Sequence, residues 1–261
     1  MTLLSDQADA VRALVESADP GAVWAVGGPD GPHTGSGAAD DVHDVGGLTA
    51  VLALWPAVGT LVDEGALRLH TPLTAYGDEA AADTPAGTTA HHLLTHPGGT
   101  AALTRLVEHL SGSTLAELAA VRVWNPLGMT RTRLADGTLR APLADLALFL
   151  THLLHPNVPE AGSTAAAPAP LTRAWTAESL RIRTGELTPA RGLLWHPAPH
   201  GVWTHHAPAD PGPAVWISPR HHRWALLLPA ARGSLRTTFR EAVFTPDAST
   251  RSCGPGGIPR A

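Results

Sequence analysis

The residues best suited to acid–base chemistry in this sequence are its 15 histidines, because an unperturbed imidazole titrates near neutral pH. His92 and His96 are four residues apart, a spacing that places two imidazoles on one face of a helix, as in zinc sites. No acidic third ligand lies nearby in the sequence, so we expect no metal site and no cofactor. His221 and His222 lie between two apolar runs, where a solvated turn is expected.

The second chemical feature is the absence of lysine. The chain has 18 lysines and arginines, and all of them are arginines, from Arg12 to Arg260. This excludes mechanisms that use a lysine as a base, as a Schiff-base former or as a phosphate ligand. The single tyrosine is Tyr76 and the single cysteine is Cys253, so an internal disulfide and a multi-cysteine zinc site are excluded as well.

Composition limits the class of protein. The chain has 261 residues, of which 44% are hydrophobic and 16% charged, which favours a globular protein with a sizeable core over global disorder. A net charge of −5 disfavours general nucleic-acid binding. Asp6 and Asp9 stand where a secretory leader would have a basic flank and an apolar stretch, and no apolar run could cross a bilayer. We therefore expect a cytoplasmic protein that does not bind membranes.

Apolar periodicity predicts strands at both ends of the chain and helices between them, an α+β architecture. We expect one domain over 1–244, with the sheet formed by residues 20–40 and 190–230 and the helical region spanning 47–182. Residues 245–261 are expected to form a disordered tail, and 157–170 a loop. The predicted helices are 6–18, 48–62, 88–95, 103–110, 114–123, 142–154, 171–180 and 235–244. The predicted strands are 22–26, 33–38, 192–195, 202–206, 214–218 and 224–228.

The most regular helical pattern runs from Leu48 to Val62. Gly65 follows where a C-terminal glycine would end the helix. Pro56 lies within the pattern and predicts a kink, because proline removes one backbone donor.

Several segments, taken in order, resemble the serine β-lactamase and DD-peptidase superfamily, most closely its class C-like hydrolases and esterases. They are Asp44-Val-Gly-Gly-Leu-Thr-Ala-Val51, His91-His-Leu-Leu-Thr-His-Pro-Gly-Gly99, Val123-Trp-Asn-Pro-Leu-Gly-Met-Thr130 and Trp216-Ile-Ser-Pro219. The resemblance covers roughly residues 10–245. It implies a β-lactamase/transpeptidase-like fold, in which an antiparallel sheet built from both termini is flanked by helices, here with a shortened helical insertion.

The sequence departs from the superfamily at its catalytic motifs. The resemblance implies Ser-x-x-Lys at the start of the long helix, but the tetrad here is Gly47-Leu-Thr-Ala50, which has neither a nucleophile nor a base. The Tyr-x-Asn motif is missing from the short segment 97–102, and Tyr76 comes too early to replace it. The His/Lys-Thr-Gly motif corresponds to His205-His-Ala207, where a methyl group replaces the glycine hydrogen. These losses exclude the superfamily's acyl-enzyme mechanism.

The resemblance also defines the candidate site residues. The vestigial motif positions are Gly47, Ala50 and His205. Alternative acid–base candidates are His206 and His96, together with Asp44 before the tetrad and Thr49 within it. Thr49 keeps a hydroxyl group, but neither a lysine nor a tyrosine is available to activate it. Asp63 and Glu64 are expected at a solvated helix end.

These observations leave three hypotheses for function. The first is a catalytically degenerate, β-lactamase-like pseudohydrolase that binds a small molecule or a protein partner. The second is a repurposed enzyme that uses the old cleft for non-covalent acid–base chemistry, such as cyclisation, isomerisation or elimination in a biosynthetic pathway. The third is a decayed gene product without a molecular role. A deep polar pocket beside Gly47 would favour the second hypothesis, and a cleft filled by tryptophan or leucine would favour a scaffold.

Overall fold

Strands from the two ends of the chain lie side by side in one antiparallel sheet. The computed structural model describes residues 5–37, 39–154, 170–184, 189–207, 212–231 and 235–245. Its strands are β1 (Val23–Gly28), β2 (Gly31–Gly35), β3 (Val42–Asp44), β4 (Arg133–Ala135), β5 (Thr138–Pro142), β6 (His196–Ala198), β7 (Val202–His206), β8 (Ala214–Ser218) and β9 (Arg223–Leu228). The large sheet has the order β2-β1-β9-β8-β7-β6, and a small sheet has the order β3-β5-β4.

Both faces of the large sheet are buried, and this explains why its central strands are continuously apolar. Along β9, Trp224 and Leu226 face one hydrophobic cluster, whereas Ala225 and Leu227 face the other. This alternation follows from the two-residue period of a strand. One face packs on the terminal helices α1 (Ser5–Ala18) and α9 (Leu235–Phe244), and the other packs on the helical region.

The helical region contains the remaining α-helices of the described chain. They are α2 (Trp55–Asp63), α3 (Asp78–Ala81), α4 (Ala90–Thr95), α5 (Thr100–Ser111), α6 (Leu115–Ala119), α7 (Leu143–Leu154) and α8 (Arg173–Ser179). Thr114 caps α6 in a reciprocal capping box with Glu117, as the Thr-x-x-Glu spacing indicates. None of the described helices combines the length and hydrophobicity that crossing a membrane requires. The α+β class and the sheet built from both ends of the chain are confirmed.

The long helix predicted over 48–62 changes geometry along its length. It begins as a 3₁₀ turn (Gly46–Leu48), continues as a π-helical turn (Ala50–Leu54) and becomes α2, so the change to α geometry falls beside the kink predicted at Pro56. Pro56 has no N–H to donate to the Leu52 carbonyl, its i−4 partner. The indole N–H of Trp124 donates to that carbonyl instead, at 2.8 Å. The fully buried Trp124 therefore compensates for the proline.

Several predicted boundaries are wrong. Residues 192–195 do not form a strand, because Leu194 has a left-handed backbone (φ 62°), and the edge strand is β6 instead. The small sheet β3-β5-β4 was not predicted, and the helix predicted over 114–123 divides into α6 and a π-helical turn (Ala120–Trp124). The predicted loop 157–170 and tail 245–261, with Cys253, lie outside the described residues except for Pro170 and Thr245.

Candidate functional site

A cavity of about 1010 Å³ lies between the start of the long helix, the 96–100 turn and the strands β6 and β7. Its volume is that of a site for a drug-sized ligand. The structure brings the sequence candidates together here, since Gly47, Thr49, Ala50, His96, His205 and His206 all line this cavity. Asp44 is not among the lining residues that the structure describes.

Gly47, the residue that the sequence resemblance aligns with the superfamily serine, packs against Ala207 at the end of β7. A Cβ atom built on Gly47 would overlap with the Cβ of Ala207, and it would lie 3.1 Å from the Cγ of Pro213. Real Cβ atoms essentially never approach other atoms as closely as the first of these contacts. The two motif changes are therefore complementary in space: the methyl group of Ala207 occupies the volume that a side chain at position 47 would need.

The remaining polar groups around the tetrad serve local structure. The Thr49 hydroxyl donates to the Gly46 carbonyl at 2.8 Å, a bond within the first helical turn. Asp44 is exposed at the end of β3, and its Oδ1 accepts from the Gly46 amide at 2.8 Å. Tyr76 lies outside the described cavity lining, where its hydroxyl accepts from the Arg68 amide at 2.8 Å.

His205 is half-buried and held in one tautomer. Its Nδ1 lies 2.7 Å from the carbonyl oxygen of Leu194, which can only accept, so Nδ1 carries the proton and Nε2 keeps its lone pair. Burial lowers the pKa of His205 to about 4, so the ring is neutral at pH 7. Leu194 is in turn fixed by its amide, which donates to the Leu94 carbonyl at 2.8 Å. These two hydrogen bonds hold the left-handed backbone of Leu194 at the cavity wall.

His196 and Arg191 line the cavity together with His205. The ring of His196 stacks on that of His205 with 6.4 Å between centroids and lies 6.3 Å from that of His206. Burial, followed by the nearby charge of Arg191, lowers the pKa of His196 to about 4. The aspartates and glutamates that the structure describes are all outside the cavity lining. The lining is therefore basic, although the chain as a whole is acidic.

His96 lies across the cavity on the 96–100 turn. It is exposed, and its Nδ1 lies 3.0 Å from the Thr95 hydroxyl and 3.2 Å from the His92 carbonyl. The rings of His92 and His96 are 5.9 Å apart, so the i,i+4 spacing does bring them together. Among the described residues, however, no group of three histidine, cysteine or acidic side chains is arranged to hold a metal ion.

Comparison with solved structures identifies the fold. A β-lactamase from Mycobacterium bovis superposes with a TM-score of 0.68 at 20% identity, covering 89% of this chain and 97% of its own. A class C β-lactamase from Rhodobacter sphaeroides superposes with a TM-score of 0.70 at 13% identity, covering 92% and 99%. The chain has the serine β-lactamase/transpeptidase-like fold. An octameric penicillin-binding protein homologue from Pyrococcus abyssi shares it, with a TM-score of 0.68 at 13% identity over 90% of this chain and 75% of its own.

The comparisons at the level of sequence, unlike those of structure, find no match. No protein-family model matches the chain, and no curated protein matches it. At these identities the superpositions establish the β-lactamase-like fold alone.

Sequence reasoning missed two residues of the β-lactamase-like cavity, Arg191 and His196. His196 follows the run predicted as a strand, and the true edge strand begins with it; His196 pairs with Thr204 of β7, one residue before His205. The proline after His196 is a signal that could have found this edge strand, because proline is confined to strand edges. Nothing in the sequence around Arg191 indicates that it faces the cavity.

Proposed function

We propose that this protein is a non-hydrolytic, β-lactamase-like protein that binds a small molecule in the cavity beside Gly47. The observation that carries the proposal is the contact between Gly47 and Ala207, which closes the nucleophile position while the cavity next to it stays open. A protein that had lost both chemistry and ligand would have no reason to keep an open cavity of about 1010 Å³.

The absence of an acyl-enzyme mechanism follows from three residues. Gly47 has no side chain, and Ala50 provides no base one helical turn later. Thr49 has a hydroxyl group, but that group donates to a helix carbonyl and has no lysine or tyrosine to remove its proton. Removing one member of such a cooperating unit already abolishes most of its rate advantage.

The shape of the site favours a small molecule over a protein partner. Small-molecule sites are concave and mostly apolar, with a few convergent polar groups. Here the partly exposed Leu194, Pro197 and Ala198 supply apolar wall, while His196 and His205 supply polar atoms. The space corresponds to a ligand rather than to a flat protein interface.

The proposal is tested by incubating the purified protein with nitrocefin, p-nitrophenyl esters and a fluorophosphonate probe. An active serine β-lactamase and an active esterase serve as positive controls for the reagents. We expect no turnover above the buffer rate and no covalent adduct in the intact-protein mass spectrum. Turnover or labelling at any residue of the cavity would overturn the proposal.

The second candidate function is an enzyme that performs acid–base chemistry without a covalent intermediate. The fixed tautomer of His205 favours it, because a neutral imidazole with a free Nε2 can accept a proton from a bound substrate. In this hypothesis His205 is the base, and His206 or His96 carries the proton to product. Incubating cell extract with the wild-type protein and with a His205→Ala/His206→Ala variant, and comparing metabolites by mass spectrometry, tests it. Conversion by the wild type alone supports this function, and identical profiles contradict it.

A further inference from the structure

The permanent charges of the described cavity lining are all positive. Two arginines line the cavity together with four histidines, of which His196 and His205 have pKa values of about 4 and are neutral at pH 7, and the described lining contains no carboxylate. Of the two arginines, Arg240 forms an ion pair with Glu241, with 3.2 Å between Nη2 and Oε1. The other, Arg191, is half-buried, and its guanidinium makes no hydrogen bond or ion pair with any residue in the described ranges.

The backbone amide and carbonyl of Arg191 both have hydrogen-bond partners, whereas its guanidinium has none among the described residues. Its amide donates to the Thr184 hydroxyl at 3.2 Å, and its carbonyl accepts from the Arg183 amide at 2.7 Å. Arg183 provides a contrast within the same loop, because its guanidinium pairs with Glu178. The guanidinium nitrogens of Arg191 are not among the buried side-chain atoms that lack a partner, so they are accessible at the cavity wall, where a ligand can supply the counter-charge.

The surroundings of Arg191 limit the chemistry of that ligand. Arg191 lines the same cavity as the stacked rings of His196 and His205, and its charge is the second cause, after burial, of the lowered pKa of His196. Neutral imidazoles add hydrogen-bonding atoms to such a site without adding net charge. Leu194, Pro197 and Ala198 also line the cavity, and they are partly exposed, so they offer apolar surface to the rest of the ligand.

We propose that the cavity binds an apolar organic anion, a compound with a hydrophobic body and one carboxylate-like or sulfonate-like group, and that Arg191 is the cation that binds this group. The inference rests on the proposed function, since it names the ligand class of the same cavity. Arg191 contributes charge and bidentate donors, and the surface of Leu194, Pro197 and Ala198 contributes burial of the body.

A matched pair of fluorescent probes tests this assignment. 8-Anilinonaphthalene-1-sulfonate carries an anionic group, and N-phenyl-1-naphthylamine has the same apolar body without it. Both are titrated against the wild type, Arg191→Gln, Arg191→Lys and a control variant, Arg68→Gln, which changes an exposed arginine outside the cavity lining. Thermal melts followed by circular dichroism verify that each variant is folded, and Arg191→Lys keeps the charge if Arg191→Gln does not fold.

We expect the anionic probe to bind the wild type more tightly than the neutral probe does. Arg191→Gln should weaken the anionic probe about ten- to a hundredfold, the range for a charged hydrogen bond, and leave the neutral probe unchanged. Arg191→Lys should retain part of the affinity, Arg68→Gln all of it. 1-Naphthoate, but not 1-naphthamide, should displace the anionic probe.

Three results would overturn the inference: no binding of the anionic probe at about 1 mM, equal binding of the two probes to the wild type, or an unchanged affinity in Arg191→Gln. Equal binding of both probes would leave the proposed function intact, because the cavity would still be a binding site. Failure of the proposed function shows itself separately, as turnover or covalent labelling in the hydrolase assays.

Discussion

The contact between Gly47 and Ala207 makes a quantitative prediction about stability. Replacing Gly47 with alanine adds one methyl group, which overlaps with the Ala207 Cβ and lies 3.1 Å from the Pro213 Cγ. Replacing Ala207 with glycine removes the principal obstacle. The two substitutions should therefore be strongly coupled, although each changes a single methyl group.

The expected magnitude follows from packing. An added methyl in a filled space costs about 1–3 kcal/mol, while replacing a helical glycine with alanine recovers about 0.5–1 kcal/mol. Gly47→Ala should therefore lower the free energy of unfolding by about 0–2.5 kcal/mol in the wild type. In the Ala207→Gly background the overlap is relieved, and only the tight contacts with the Pro213 Cγ at 3.1 Å and the residue 207 Cα at 3.3 Å remain, so the coupling energy between positions 47 and 207 should be about 1–3 kcal/mol.

Urea unfolding of the wild type, both single variants and the double variant measures this coupling. The matched control pairs Gly47→Ala with Ala225→Gly, a buried alanine of β9 whose side chain belongs to the hydrophobic cluster on the other face of the sheet. The control pair should be additive within about 0.3–0.5 kcal/mol. Additivity for positions 47 and 207 as well would refute the argument that the β7 end closes the nucleophile position.

Three further predictions concern single features. Trp124→Phe leaves the Leu52 carbonyl without its donor, so the free energy of unfolding should fall by about 1–3 kcal/mol in urea titrations; no change would mean that the carbonyl finds another donor. Burial lowers the pKa of His205 to about 4, from about 6.5 in the unfolded chain. The contribution of His205 to folding stability is therefore fully present above pH 6.5, and it is lost as the pH falls towards 4. His205→Asn should flatten this decline by up to about 1.4 kcal/mol per pH unit, and an unchanged slope would contradict the assignment. Gly47→Ser/Ala50→Lys should stay unlabelled by a fluorophosphonate, since the adjacent strand still fills the nucleophile position; an adduct would show that the strand yields.

The sequence patterns predicted the long strands of the large sheet better than its short edge strand and the small sheet. The predicted strands 202–206, 214–218 and 224–228 correspond closely to β7, β8 and β9. For β8 and β9 the reason is that strands buried on both faces leave a nearly unbroken apolar signal. The β4–β5 hairpin was missed although it carries a signal. Asp136 and Gly137 both have positive φ, at 51° and 72°, as the two central residues of a type I′ turn require. Its strands are too short to show periodicity.

The sequence predicted residues that line the candidate site, but it did not predict the contacts between them. Gly47, Ala50 and His205 were located by motif order, and the structure brings them to one cavity. The overlap between positions 47 and 207 depends on the distance between a helix start and a strand end, which no local pattern encodes. Arg191 was missed for a similar reason: hydrogen bonds to Thr184 and Arg183 hold its backbone, and the sequence around it has no periodicity that would reveal them.

The fit of glycine against alanine at the end of β7 also constrains the order in which mutations can accumulate. A chain with serine at position 47 and alanine at position 207 would combine the two overlapping side chains. Any lineage leading to this sequence from one with that serine has an easier path if the side chain at 47 disappears first. Once the methyl group at 207 is in place, a side chain at 47 is disfavoured until that methyl is lost. The loss of the side chain at 47 is then difficult to reverse.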